Sequence, residues 1–297
     1  MIRNPLMAAL CTLLLLTSAP IHAEVIHEER SLYRNILVRD QGRERCLLFT
    51  VKRADRNQTC IDLDNPDRLI FPYARMMLAG LLVTPEPERI LMVGLGGGTL
   101  PRVFHDLAPG AQQDLIEIDP AVVRVAREFF AFEELDGMVV HVRDARVFVK
   151  RARANGETYD YIMLDAFTGD YIPEHLLTQE FLEEVRAVLA PGGVVVANTF
   201  MSSGLYDHES ATYAAVFDTV AELRLPVTLN RILVATDAPW PDQATLVARA
   251  ERMAPALRRY RVDMVTLARR LDPAYRFDAD ARVLTDQYSP ANLLRSQ

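Results

Sequence analysis

The chain has 297 residues, of which half are hydrophobic and a quarter are charged. This length allows one large hydrophobic core with a small accessory unit, and the composition is that of an ordinary globular protein. The formal net charge of −7 argues against nucleic acid or an anionic membrane surface as a partner, whereas small cationic ligands are compatible with it.

The first 23 residues have the pattern of a secretory signal peptide. Arg3 supplies a positive charge, Leu6 to Leu16 form an apolar run, and Ala23 stands at a plausible cleavage point. The apolar run is too short to span a bilayer comfortably. We therefore expect a periplasmic or secreted protein, with an uncleaved anchor or a misassigned start codon as alternatives.

Removal of this segment leaves Cys46 and Cys60 of the three cysteines. They flank LLFTVKRADRNQT, a pattern that predicts two strands joined by a polar turn near Arg53. In such a hairpin the two thiols can face each other and form a disulfide, and two buried free thiols are the alternative. The six histidines are scattered and no CxxC or HExxH motif occurs, so we expect no metal site.

In chain order, the segments YRNILV, CLLFTV and QTCIDL predict strands between Ser31 and Asp62. Residues 72–83 then predict a helix with proline at its start, and the segment TPEPE ends the first unit. We expect residues 24–84 to form a small N-terminal β domain with a linking helix, and residues 85–297 to form the larger, catalytic domain.

Strands and helices alternate after residue 88. The predicted strands are RILMVG, DLIEID, VVHV, YDYIMLD and VVVANTF, each followed by a helix, of which the last runs from Glu209 to Leu223. VTLNRILVAT supplies one or two final strands. This order predicts an α/β domain with a doubly wound, Rossmann-like, mostly parallel sheet. Ligands on such sheets bind at the carboxyl ends of the strands.

The segment ILMVGLGGG carries the first functional signal. Gly94, Gly96 and Gly98 let the backbone approach a ligand at a strand-to-helix turn. Glu117 ends the next strand, about 20 residues further on, where a carboxylate can accept hydrogen bonds from both hydroxyls of a ribose. Thr99 stands where a strict GxGxxG pattern has its last glycine, and a close helix–strand contact is the alternative interpretation.

Two further acids end the third and fourth strands of this order. Asp144, followed by Ala145, can accept from an adenine amino group, cap the next helix, or do both. Asp165 opens the loop AFTGDYIP, which also contains Asp170. A carboxylate at residue 165 can hold a cationic group or take a proton from an amine, and a turn or capping acid is the alternative.

Several motifs resemble those of the spermidine synthases, the polyamine aminopropyltransferases, between residues 29 and 294. They are ExSxYxxIxV at Glu29 to Val38, Tyr73 in PYARMM, GLGGGTLPR, IEIDPAVV, RDARVFV, YDYIMLDAF and LTDQYSP. The core motifs are those of a methyltransferase-type sheet, and the flanking matches at both ends favour this family. The pattern looks like a divergent branch of it.

The resemblance implies a transferase of polyamine biosynthesis that moves an aminopropyl group from decarboxylated S-adenosylmethionine to an amine such as putrescine. It implies no permanently bound cofactor, and small nucleoside and amine substrates as partners, with a homodimer left open. Asp165 would be the base and Tyr73 its neighbour at the substrate. The remaining contacts would come from Asp170 to the substrate and from Glu117, Asp144 and Ala145 to the nucleoside.

The chain departs from the family pattern at three places near this site. Thr99 replaces the aspartate of the family motif GGGDGG, which the resemblance implies would hold the donor's amino group. Thr168 stands where the family loop DSSDP has its second aspartate, unless Asp170 substitutes for it, and Arg75 replaces the acid of the YHEM helix. Two alternatives therefore stay open. One is methyl transfer from S-adenosylmethionine, with Arg75 suited to a carboxylate on the ligand. The other is a non-catalytic exported protein that binds a nucleoside or a polyamine.

Overall fold

The computed structural model describes residues 23–51, 54–168, 171–202 and 204–289. Four antiparallel strands form the first sheet in chain order: β1 (Ala23–Arg30), β2 (Asn35–Gln41), β3 (Glu44–Val51) and β4 (Ala54–Asp62). The sequence pattern missed β1, because this edge strand is largely exposed and shows no apolar alternation. The predicted signal peptide lies outside the described residues, except for Ala23, which begins β1.

The hairpin of β3 and β4 places Cys46 directly opposite Cys60. The two residues form a disulfide in the structure. Arg53, near the centre of the predicted turn, lies outside the described residues. The alternative of two free thiols is therefore not the arrangement found here.

The linking segment contains α1 (Pro72–Met76), which continues as a 3₁₀ helix over Met77–Leu82. Alternating elements follow: β5 (Arg89–Val93), α2 (Thr99–Leu107), β6 (Gln112–Glu117), α3 (Pro120–Phe129), β7 (Met138–Val142), α4 (Ala145–Ala154), β8 (Tyr159–Leu164), a 3₁₀ turn (Glu174–Leu176), α5 (Gln179–Arg186), β9 (Leu189–Phe200), α6 (Tyr206–Val216), β10 (Thr219–Arg224) and β11 (Asn230–Thr236). The last described elements are α7 (Gln243–Leu257), a 3₁₀ turn (Arg258–Tyr260) and α8 (Met264–Arg270).

The second sheet has seven strands in the order β10-β11-β9-β8-β5-β6-β7. The five strands from β9 to β7 are parallel, whereas β11 pairs antiparallel with β9 and β10 pairs antiparallel with β11. Alternate residues of β5 enter different cores, with Ile90 on one face of the sheet and Leu91 on the other. The predicted doubly wound, mostly parallel α/β sheet is confirmed.

One predicted helix was wrong in its second half. The helix expected from Glu209 to Leu223 ends at Val216 in the structure, and Thr219–Arg224 form β10. The chain turns to an extended conformation at Phe217, where φ is −108° and ψ is 146°. The segment TVAELR contains good helix formers, but its pairing with β11 buries it in the sheet, and this tertiary contact overrides local propensity.

The small sheet packs on α3 of the large domain. Ile36, Val38 and Phe49 share one buried cluster with Val122 and Val125. This contact sets the small sheet above the carboxyl ends of the parallel strands. Within the part of the chain that the structure describes, no helix is long and apolar enough to cross a membrane.

Candidate active site

A cavity of about 740 Å³ lies between the small sheet and the carboxyl ends of the parallel strands. Strand-end residues and small-sheet residues line it together. Of the residues predicted for the site, the lining contains Tyr73, Gly94, Gly96, Glu117, Asp144, Ala145 and Asp165. Thus the sequence pattern identified residues that the fold brings to one cavity.

Two of the predicted glycines have different reasons to be glycine. Gly94 has a φ of +99°, and a Cβ there would lie 2.3 Å from the carbonyl oxygen of Asp165. The backbone after β5 and the backbone after β8 are therefore too close for any side chain at residue 94. Gly98 does not line the cavity. It precedes α2 with a φ of +71°, and a Cβ there would lie 2.2 Å from the ring of Phe132. Its role is helix packing, so the predicted ligand contact of Gly98 is not supported.

Glu117 is held at the end of β6 by backbone hydrogen bonds. Its Oε2 accepts from the N–H of Leu95 at 3.2 Å, and its Oε1 accepts from the N–H of Asp119 at 3.0 Å. Burial raises the pKa of Glu117, while these two N–H groups and the nearby Arg34 oppose that rise. The carboxylate is fixed in orientation and retains lone pairs for two hydroxyl donors.

Asp144 caps α4, since its carboxylate accepts from the N–H of Val147 at 2.9 Å. The other carboxylate oxygen lies 2.9 Å from Nε2 of His175, which also lines the cavity. The capping interpretation of Asp144 is confirmed, and its contact with adenine stays a prediction. His175 was not expected from the sequence, because it lies on a short 3₁₀ turn with no readable motif.

Asp165 follows β8, and part of its side chain remains accessible. Nδ2 of Asn198 donates to its Oδ1 at 2.8 Å. Burial raises the pKa of Asp165 to about 7, and the hydrogen bond from Asn198 opposes this rise. A carboxyl group with such a pKa can accept a proton and release it near neutral pH.

Tyr73 lies close enough to Asp165 to be affected by its charge. Burial and then that charge raise the pKa of Tyr73 well above its ordinary value, so the phenol stays neutral. Its hydroxyl donates to the backbone carbonyl of Gln58 at 3.1 Å. The phenol oxygen can therefore accept a hydrogen bond from an amine, but Tyr73 cannot serve as the base.

Arg34 connects the small sheet to this rim. Its Nη1 donates to the carbonyl of Phe167 at 3.0 Å, its Nε lies 3.6 Å from Asp119, and its guanidinium lies 4.3 Å from the centre of the Phe49 ring. Ser31 also donates to Asp119, at 2.5 Å. Both residues lie in the ExSxYxxIxV motif, from which no role was predicted for either of them.

Arg75 does not enter the cavity. Its Nε donates to the carbonyl of Leu69 and its Nη2 to that of Ile70, both at 2.8 Å. The expectation that Arg75 would suit a ligand carboxylate was therefore wrong, because this side chain ties its own helix to the preceding segment. Thr168 lines the cavity and donates to the carbonyl of Tyr171 at 3.3 Å, whereas Asp170 lies outside the described residues.

Three further polar residues of the cavity wall were not predicted from the sequence. Asn198, Thr228 and Asn230 line the cavity. Asn198 interrupts the apolar strand VVVANTF, which is a usable signal, because a buried amide in a strand requires a hydrogen-bonding partner. Among residues 23–51, 54–168, 171–202 and 204–289, no cluster of histidine, cysteine or acidic side chains could hold a metal ion.

Comparison with known proteins supports the family. The spermine/spermidine synthase domain matches residues 70–222. The chain is 46% identical to the polyamine aminopropyltransferase of Vibrio vulnificus, over 98% of this chain and 97% of the relative. It is 33% identical to the human eEF1A lysine and N-terminal methyltransferase over 63% of this chain, which spans 30% of that protein.

Solved structures show the same fold. Human methyltransferase-like protein 13, solved in complex with SAH, is 30% identical with a TM-score of 0.59, covering 63% of this chain and 93% of its own. A probable spermidine synthase from Corynebacterium glutamicum is 24% identical with a TM-score of 0.63, covering 76% of this chain and 87% of its own. The chain belongs to the spermine/spermidine synthase family and is a transferase.

Proposed function

We propose that this protein transfers an aminopropyl group from decarboxylated S-adenosylmethionine to a small amine. The observation that carries the proposal is Asp165, a partly buried carboxyl group at the end of a strand, whose pKa is raised to about 7 by burial and which shares its cavity with Glu117. The relative that matches along 98% of the chain is a polyamine aminopropyltransferase. Both observations favour the same reaction.

The chemistry needs orientation and one proton acceptor. The amine nitrogen forms a bond to the aminopropyl carbon next to the sulfonium sulfur, the carbon–sulfur bond breaks with its electron pair on sulfur, and methylthioadenosine leaves as a neutral thioether. An ammonium ion has no lone pair, so it must lose a proton to react. Ionised Asp165 accepts this proton, and the cavity holds both reactants in line. Tyr73 stays a neutral hydroxyl beside them.

The donor would occupy the side of the cavity formed by the parallel strands. Glu117 accepts hydrogen bonds from the ribose hydroxyls, and the backbone at Gly94 and Gly96 lies along the sugar and its tail. Asp144 and Ala145 contact the adenine. Asp170, outside the described residues, remains the proposed second acidic contact to the substrate.

Two assays with the purified protein test this function. Incubation with decarboxylated S-adenosylmethionine and putrescine, or a panel of other small amines, should yield methylthioadenosine and the extended amine, both measured by chromatography. Incubation with S-adenosylmethionine and the same amines should yield no S-adenosylhomocysteine. Methyl transfer in the second assay would favour the alternative enzyme. Calorimetric binding of methylthioadenosine without any turnover would favour a non-catalytic protein.

The methyltransferase alternative has less support than it had from sequence alone. Arg75 was expected to favour a carboxylate on the ligand, but its guanidinium donates hydrogen bonds to two backbone carbonyls instead. The similarity to a methyltransferase covers 63% of the chain at 33% identity, whereas that to the aminopropyltransferase covers 98% at 46%. The comparison therefore favours aminopropyl transfer.

We also propose that the protein acts in the periplasm or is secreted. The signal-peptide pattern of the first 23 residues supports export, and so does the disulfide between Cys46 and Cys60, since disulfides persist in oxidising compartments. Mass spectrometry of periplasmic material should give a chain that begins after Ala23 with both thiols oxidised. A full-length chain with two free thiols in the cytosol would contradict export.

A further inference from the structure

A row of three polar side chains leads away from Asp165 along the cavity wall. Nδ2 of Asn198 donates to Oδ1 of Asp165 at 2.8 Å, and Nδ2 of Asn230 donates to Oδ1 of Asn198 at 2.9 Å. Oγ1 of Thr228 donates to Oδ1 of Asn230 at 2.7 Å. The row is continuous, and each asparagine in it both donates through Nδ2 and accepts through Oδ1.

The antiparallel strand β11 makes this row geometrically possible. Asn230 is the first residue of β11 and pairs with Phe200, while Asn198 pairs with Ile232. Asn230 and Asn198 are therefore diagonal neighbours on adjacent strands, within reach of each other's side chains. A parallel strand would bring its last residue to this rim, whereas β11 brings its first residue and the preceding Thr228.

Hydrogen-bond chemistry gives the row a direction. Oγ1 of Thr228 accepts from the backbone N–H of Asn230 at 3.2 Å, which leaves its own hydrogen for the amide oxygen of Asn230. The amide nitrogen of Asn230 then points to Asn198, and the amide nitrogen of Asn198 points to Asp165. A flipped Asn198 would set its oxygen against the carboxylate. The observed orientation favours the ionised form of Asp165.

We propose that Asn198, Asn230 and Thr228 are positioning residues, which favour the ionised form of Asp165 and leave its Oδ2 available for the amine. This inference rests on the proposed function and assigns it three residues that act through the base. Within the described residues, Oδ2 of Asp165 has no hydrogen-bonding partner, whereas Oδ1 is held by Asn198. One oxygen is thereby fixed and the other is available to the reaction.

Other charged or titratable groups share the cavity with Asp165. The small sheet contributes Tyr33 and Arg34 from the β1–β2 loop and Arg56 from β4. The remaining groups are Tyr73 on α1, Glu117 on β6, Arg143 after β7, Tyr171 in the loop after β8 and Glu209 on α6. Arg34 is bonded to the carbonyl of Phe167, and Glu209 is ion-paired with Arg231 at 2.9 Å. His175 pairs with Asp144 elsewhere on the wall. A test of the row must therefore observe Asp165 itself.

Substitutions that remove one hydrogen bond each provide the test. Thr228→Val deletes the hydroxyl with almost no change of shape, Asn230→Leu deletes the amide, and Thr228→Ser retains a hydroxyl. Thr84→Val is the matched control, because the Thr84 hydroxyl donates to the carbonyl of Gly192 at 2.9 Å and does not line the cavity. Melting curves establish that each variant is folded.

The first measurement is a ¹³C-carboxyl NMR titration, in which the Asp165 signal is assigned by its loss in Asp165→Asn. The second is the acid limb of the pH profile of kcat/KM for aminopropyl transfer. In Thr228→Val and Asn230→Leu we expect the Asp165 titration midpoint and the pKa of the acid limb each to rise by about half to one pH unit. The rise follows because the ionised carboxylate loses part of its hydrogen-bond stabilisation. Thr228→Ser should return both to the original pH, and Thr84→Val should leave them unchanged.

An Asp165 titration that stays within about 0.2 pH unit of the original in Thr228→Val overturns the proposal, even if Asn230→Leu does not fold. A shift of the same size in Thr84→Val also overturns it, because the effect would then not be local. If the unmodified protein titrates as expected but transfers no aminopropyl group, the proposed function fails, while the NMR titration still decides whether the row acts on Asp165.

Discussion

Arg34 and Phe167 join the small sheet to the loop that leaves Asp165, through the 3.0 Å hydrogen bond from Nη1 to the Phe167 carbonyl. Arg34→Met keeps much of the stem that packs on Phe49 but removes the donors. We expect kcat/KM for transfer to fall roughly 10-fold, as for the loss of one charge-assisted hydrogen bond. Steady-state kinetics measure this, with Arg151→Met, an exposed residue of α4, as control. Equal kinetics for both variants would contradict the role of Arg34.

Asp165→Asn should abolish transfer while leaving nucleoside binding nearly intact. The asparagine has almost the same size and can still accept from Asn198, but it cannot accept the amine proton. General-base contributions of about 10²–10⁴-fold set the expected loss in single-turnover rate. Calorimetry with methylthioadenosine is the control for binding. A variant that transfers at nearly the original rate would exclude Asp165 as the base.

The raised pKa of Asp165 predicts opposite effects of pH on activity and on stability. Activity should rise as pH increases through about 7, because Asp165 must be ionised to act. The folded pKa lies above the ordinary value of 3.8, so the folded state binds more protons between these two pH values, and the free energy of unfolding falls as pH rises through this window. This contribution to stability is present below pH 3.8 and is lost by about pH 7.

Asp165→Asn removes this pH-dependent loss of stability. At pH 8 the variant should therefore have a melting temperature about 5 °C above that of the original protein, and the difference should be smaller at pH 5. Calorimetric melting curves at the two pH values measure the gap. A constant gap, or a variant that melts lower at pH 8, would show that the charge of Asp165 is not a source of instability.

Glu117→Gln should weaken binding of methylthioadenosine by about 1.5–3 kcal/mol, the range for a lost charge-assisted hydrogen bond. The glutamine amide must also turn one N–H₂ towards the N–H of Leu95 or Asp119, which adds a repulsive contact. Glu86→Gln, on an exposed segment, is the matched control. An unchanged dissociation constant in calorimetry would remove the ribose assignment.

Reduction of the Cys46–Cys60 disulfide should lower stability. The two cysteines are 14 residues apart, and the chain-entropy estimate for closing such a loop is about 3 kcal/mol. The Cys46→Ser/Cys60→Ser double variant should melt at the temperature of the reduced protein, and dithiothreitol should not change it further. If the reductant leaves the melting temperature of the original protein unchanged, the disulfide does not contribute to stability.

The acidic residues of the site could be predicted from the sequence, because the carboxyl ends of parallel strands lie at one edge of the sheet. Glu117, Asp144 and Asp165 each follow an apolar run, so their convergence required no knowledge of side-chain contacts. The β3–β4 pairing of the cysteines followed likewise from a short hairpin. Asn230 and Thr228 could not be found in this way, because the direction of β11 and its register with β9 depend on tertiary pairing. Gly98 was predicted to contact the ligand but instead packs against Phe132, because a glycine motif also contains positions needed only for packing.

The reversed direction of β11 brings a surface connection, rather than a strand exit, to the cavity wall. One wall of the cavity is built at the exits of parallel strands, which are fixed by the helices on both faces of the sheet. Thr228 and Leu229, in the connection into β11, and Asn230 at its start also line the cavity, and Leu229 is 65% exposed. Insertions in a surface connection change its closure entropy only slowly with length. A change of length in this connection would therefore alter the cavity wall beside Asp165 while leaving the strand exits unchanged.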